Sequence, residues 1–149
     1  MRKEPDIKIA GLSLWVLGRQ YPDMYDYWDG NWLDVQVRVE ATGAVVKAHG
    51  AIIRTPELES FFDQLQVLQE KLVGSANLQC TEPDLALTVH CKSLGHMTIT
   101  IEITPDHLNQ SHKFLFEIDQ PYLKPVLTNL ENILSRYPIR DAEPKGAPR

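Results

Sequence analysis

The chain has 149 residues, 43% of them hydrophobic and 23% charged, with a formal net charge of −5, which fits one globular domain with an ordinary core. The acidic balance argues against direct binding of nucleic acid, which calls for a basic surface, and leaves room for a basic protein partner. No apolar run approaches the roughly 18 residues of a membrane helix; Met1–Asp6 lacks the apolar core of a signal peptide, and the chain reads as cytoplasmic with no membrane partner.

The first strand is expected over Asp6–Leu17, with Ile7 and Ile9, then Leu12, Leu14 and Val16, as its apolar rows. The parity change at Ala10-Gly11 reads as a bulge. After a turn-rich stretch, Arg19–Gly30, the residues Leu33, Val35, Val37 and Val39 alternate with Asp34, Gln36, Arg38 and Glu40. That alternation marks a half-buried strand. Ala41-Thr42-Gly43 turns the chain into a third strand, Ala44–Ile53. Thr55-Pro56 reads as an N-cap and first helical residue. Leu58, Phe61, Phe62, Leu65, Leu68 and Leu72 then form one wide apolar stripe, and Gly74 is the expected stop.

Four more strands follow at Ala76–Cys80, Leu85–Cys91, Met97–Ile103 and Lys113–Ile118. A closing helix from about residue 122 carries Leu123, Val126, Leu127, Leu130, Ile133, Leu134 and Tyr137 on one side, and Pro138 ends it. The order βββαββββα groups strands in runs, which disfavours a doubly wound parallel sheet. The expected fold is α+β: a curved, mainly antiparallel sheet of about seven strands with two helices on one face. Residues 1–139 form one domain, and 140–149, polar and proline-rich, a flexible tail.

Cys80 and Cys91 fall at apolar positions of adjacent strands. In a hairpin through Thr81–Asp84 they stand about 20 Å apart, too far for a disulfide, so both are expected as free thiols. His90 and His96 flank one turn, but two imidazoles do not make a zinc site. Asp23, Asp26 and Asp29 lack the alternating ligands and bidentate glutamate of a calcium loop. Nucleophile, phosphate-loop and dinucleotide motifs are absent. The sequence therefore offers no catalytic residue, no metal site and no cofactor, and binding is the default function.

The segment Tyr21–Asp34, YPDMYDYWDGNWLD, gathers Tyr21, Tyr25, Tyr27, Trp28 and Trp32 with Asp23, Asp26, Asp29 and Asp34, and holds no lysine or arginine. Two readings stay open. The aromatics fold back as a plug over one end of the core, or some stand out as anchors ringed by acid, as at an interface with a basic partner. Both hold together if Trp28 and Trp32 pin the loop while Tyr25, Asp26 and Asp29 face outward. The candidate partner-binding residues are Tyr21, Asp23, Tyr25, Asp26, Tyr27, Trp28 and Asp29.

Tyr21-Pro22-Asp23 with Asp26–Leu33 resembles the signature stretch of the WapI-like immunity proteins. Arg54–Phe61, Phe116–Leu123 and Tyr137–Arg140 extend the resemblance in the same order; Gln120-Pro121 departs from it, where a threonine would precede the tyrosine. The resemblance implies a non-enzymatic inhibitor of a cognate toxin C-terminal domain, in the named case a nuclease acting on tRNA. The alternative is a small-molecule or peptide-binding module without a toxin partner.

Overall fold

The computed structural model describes residues 4–142. Eight strands and two helices run in the order ββββαββββα. The strands are β1 (Ile7–Ile9), β2 (Leu12–Arg19), β3 (Trp32–Ala41), β4 (Ala44–Arg54), β5 (Gly74–Gln79), β6 (Leu85–Ser93), β7 (His96–Ile103) and β8 (Lys113–Asp119). Helix α1 spans Thr55–Lys71 and α2 spans Leu123–Arg136. The α+β class and the antiparallel pairing agree with the sequence reading. The strands, however, form two four-stranded sheets, β1-β2-β3-β4 and β5-β6-β7-β8, rather than one of about seven.

The extra strand comes from Ala10-Gly11. A bulge and a two-residue turn produce the same parity change, and here Ile9 pairs with Leu12 across a turn in which Ala10 adopts φ 50°. A Cβ on Gly11 would lie 2.3 Å from the Glu40 carbonyl oxygen and 2.5 Å from the Phe116 ring, so the turn is packed against both sheets. The register breaks instead beyond Val16, where Gly18 rather than Leu17 pairs with Asp34.

Alternation decides the rest. Leu33, Val35, Val37 and Val39 of β3 and Met97, Ile99, Ile101 and Ile103 of β7 are all buried, and they join one core cluster with Leu58, Phe61, Leu65 and Leu68 of α1 and Leu123, Val126, Leu130 and Ile133 of α2. Each such side chain contributes about 1.5–3 kcal/mol of apolar burial. Helix α1 packs against β5 and α2, and α2 against β1. Asp6 fastens that last contact: its carboxylate accepts from the Val16 amide (2.7 Å) and from Arg136 (2.9 Å).

Helix α1 begins one residue earlier than Thr55 as N-cap implies. Arg54, in extended conformation, is the N-cap, and its amide donates to Glu57 Oε1 at 2.8 Å. The Thr55 hydroxyl is committed elsewhere, to Asn31 Oδ1 at 2.9 Å. The helix stops at Leu72, left-handed at φ 55°, rather than at Gly74, which opens β5. Pro121 lies in a 3-10 turn, Gln120–Tyr122, ahead of α2. Among the described residues no helix is long and apolar enough to cross a membrane. The expected tail starts at Arg140, yet Arg140 and Ala142 are hydrogen-bonded to the Tyr21–Asn31 loop; residues 143–149 lie outside those described.

Candidate functional site

The loop between β2 and β3 closes on itself in three places. Met24 N–H donates to the Tyr21 carbonyl (3.1 Å), Gly30 N–H to the Asp26 carbonyl (3.1 Å), and Asp29 N–H to Asp26 Oδ2 (3.0 Å). The last bond ties Asp26 to the first residue of the 3-10 turn Asp29–Asn31. It heads a set of backbone N–H groups that hold the Asp26 carboxyl below its ordinary pKa, as hydrogen bonding to the charged form does. Gly30 is required by space: a Cβ there would sit 2.7 Å from the Met24 carbonyl oxygen.

Asn31, fully buried, anchors the loop to two distant segments. Its Nδ2 donates to the carbonyls of Tyr27 (2.7 Å) and Arg140 (2.8 Å), while Oδ1 accepts from the Thr55 hydroxyl (2.9 Å) and the Arg140 amide (2.8 Å). Two donors and two lone pairs are thus all used.

Three arginines complete the frame, and each spends its donors on backbone carbonyls. Arg54 is only 4% exposed. It donates to the carbonyls of Tyr27 and Trp28, and its guanidinium lies 4.9, 4.5 and 5.9 Å from the ring centres of Tyr27, Trp28 and Trp32. Arg19 links the Gly30 carbonyl (2.6 Å) to that of Pro138. Burial, then the nearby Arg140 charge, pulls the Arg19 pKa below the usual guanidinium value. Arg140 donates to the carbonyls of Pro22 (2.8 Å) and Met24 (2.6 Å) and stacks 4.2 Å from the Tyr25 ring centre.

The two readings of the loop divide between its residues. Gly30 and Asn31 are buried, Trp32 is half-buried, and they plug the end of the first sheet. Trp28, Tyr25, Tyr21 and Met24 stand out, at 66, 58, 45 and 43% exposure. Trp28 therefore faces outward and does not share the pinning role with Trp32; it is held edge-on to the half-buried Tyr27, with ring centres 5.5 Å apart. Asp23 and Asp29 are exposed, and neither has an ion-pair partner among the described residues. Asp26 is half-buried, and Asp34 pairs with His49 at 3.2 Å. Because the arginines bind carbonyls, the charges of Asp23 and Asp29 stay available.

Composition pointed to the aromatics and acids but missed Asn31, Arg54, Thr55, Arg140 and Arg19. The loop's lack of basic residues was the available signal, since its carbonyls must find donors elsewhere. Three of the four sequence pieces quoted above, 21–33, 54–61 and 137–140, meet at this frame; the piece over Phe116–Leu123 runs from β8 into α2.

Outside the loop, Cys80 and Cys91 are free. The Cys91 thiol donates to the Leu72 carbonyl at 3.0 Å. His90 bonds Ser75 (2.7 Å), and His96 lies 3.4 Å from Glu117 and 3.6 Å from Asp119. No group of three or more His, Cys, Asp or Glu side chains gathers into a metal site among the described residues.

The loop thus presents aromatic and acidic side chains together on the surface. A sequence model of the immunity protein WapI-like family matches residues 5–138, and the chain belongs to that family. It is a toxin-neutralising immunity protein. No curated sequence matches the chain significantly. Among solved structures it is similar to a chain of the CdiA-CT/CdiI toxin and immunity complex from Enterobacter cloacae, at a TM-score of 0.41 and 7% identity, covering 68% of this chain and 89% of that one. A likeness that loose locates no binding face.

Proposed function

We propose that the chain neutralises its toxin without catalysis, by laying the exposed part of the Tyr21–Asn31 loop over the active or substrate-binding surface of the toxin's C-terminal domain. Tyr21, Tyr25 and Trp28 supply apolar anchors, while Asp23, Asp26 and Asp29 supply charge complementary to a basic partner. Tyr27 supports Trp28 from behind. Aromatic residues dominate binding energy where they enter pockets on a partner, and exposed charge steers the encounter.

The observation that carries this reading is that exposed residues of the loop are held by buried ones. A large aromatic at 66% exposure contributes little to folding, yet Arg54 fixes Trp28 by both ring and carbonyl. Order imposed before binding need not be imposed during it. Co-expression with the toxin C-terminal domain encoded in the adjacent reading frame tests the proposal. Restored growth and co-purification are expected, and failure of both would overturn it.

A further inference from the structure

The loop has two limbs, and they are held by different parts of the chain. The inner limb, Tyr27–Asn31, is fixed by Arg54, Arg19 and the Asn31 amide. The outer limb, Tyr21–Tyr25, carries three of the four most exposed apolar side chains of the loop. Its hydrogen bonds to the rest of the protein come from the C-terminal segment: Arg140 donates to Pro22 and Met24, and Ala142 N–H to the Tyr25 carbonyl at 2.9 Å. The segment is itself clamped, through Pro138 by Arg19 and through both backbone groups of Arg140 by Asn31.

We infer that Pro138–Ala142 is a working part of the toxin-facing surface, and that Arg140 is the positioning residue that holds Tyr21, Met24 and Tyr25 in the conformation the toxin binds. The inference rests on the reading of the loop proposed above. The partner it fits is a basic polypeptide surface with apolar recesses: the outer limb presents two tyrosines, a methionine and the unpaired Asp23, and the exposed Asp141 continues the acidic edge. Arg140 acts by geometry rather than by charge. A planar fork reaches two carbonyls and lies flat on a ring at once, whereas an ammonium does neither well. Losing the fork frees the outer limb, and affinity then falls in proportion to the fraction of molecules that keep the binding conformation.

The experiment compares the wild type with Arg140→Ala, Arg140→Lys, Ala142→Pro and Trp28→Ala, reading amide hydrogen exchange in the free protein and affinity for the toxin domain encoded in the adjacent reading frame. Arg140→Ala and Arg140→Lys are expected to speed exchange in residues 21–26 and weaken binding about 10-fold or more, the loss that follows if the competent fraction drops to about one tenth. Ala142→Pro removes one bond only and gives a smaller change in the same direction, which keeps the test valid should Arg140→Ala unfold. Full rescue by lysine, or unchanged exchange in residues 21–26, would overturn the inference. So would unchanged affinity of the Arg140 and Ala142 variants beside a weakened Trp28→Ala, with the loop reading left standing. An unchanged Trp28→Ala would instead remove the loop reading, and this inference with it.

Discussion

The Arg54 guanidinium lies 4.5 Å from the centre of the Trp28 ring while its Nε donates to the Trp28 carbonyl at 3.3 Å, so a buried cation grips an exposed indole from two directions. A charge-assisted hydrogen bond contributes about 1.5–3 kcal/mol and a cation–π contact about 0.5–2. Arg54→Ala should therefore lower unfolding free energy by about 2–4 kcal/mol in urea denaturation. Arg54→Lys should recover less than half, because an ammonium cannot serve two carbonyls and three rings together. Full recovery by lysine would mean that only the charge matters.

Asn31 is the other centre of the frame. Asn31→Ala strands the Arg140 amide and the Thr55 hydroxyl and takes the donor from the Arg140 carbonyl, while the Tyr27 carbonyl keeps Arg54, for a predicted loss of about 2–4 kcal/mol. Because Asn31 joins the loop to the C-terminal segment, hydrogen exchange in this variant should rise in 21–31 and 138–142 together. A rise in one segment alone would contradict the coupling.

Asp26 makes the loop sensitive to acid. Its pKa is held below the ordinary 3.8, first by the Asp29 amide. A depressed folded-state pKa gives stabilisation that is present above the unfolded value and lost as pH falls through the folded one. The Asp29 amide resonance and Trp28 fluorescence should thus change together with a midpoint below 3.8. Asp26→Asn should remove that transition, since its amide oxygen still accepts from Asp29 but carries no proton equilibrium. A midpoint at or above the ordinary value would contradict the bond from the Asp29 amide.

Cys80 sits beside the β5–β6 turn, and burial, with the charges of Glu57 and Asp84, pushes its thiol well above the ordinary 9.0. The thiolate is the reactive form. In the folded protein at pH 8, iodoacetamide should modify neither Cys80 nor the fully buried Cys91, and both should react at the rate of global unfolding. Rapid native-state labelling of Cys80 would show that the turn opens locally.

Much of the fold was legible because its signals are local. The alternation of Leu33–Val39 and Met97–Ile103 and the stripe from Leu58 to Leu68 specify strand and helix within a few residues. Ala10-Gly11 was misread because its parity change is common to a bulge and a turn, and a left-handed alanine has no sequence signature. The site was legible by half. Aromatics and aspartates crowd into one stretch, but what holds them arrives from far along the chain: Asn31 meets Thr55 at a separation of 24 residues and Arg140 at 109. The contacts of Arg140 are hidden in the sequence for the same reason. The composition of the tail is that of a free end, and only the carbonyls it meets give Arg140 a structural task.

The most direct test of the loop as the toxin-binding face is amide hydrogen exchange of the whole chain with and without the toxin C-terminal domain. Binding should slow exchange in residues 21–30 and 138–142, with little change along the outer faces of the two sheets. Protection on a sheet face, with residues 21–30 exchanging as in the free protein, would contradict the account.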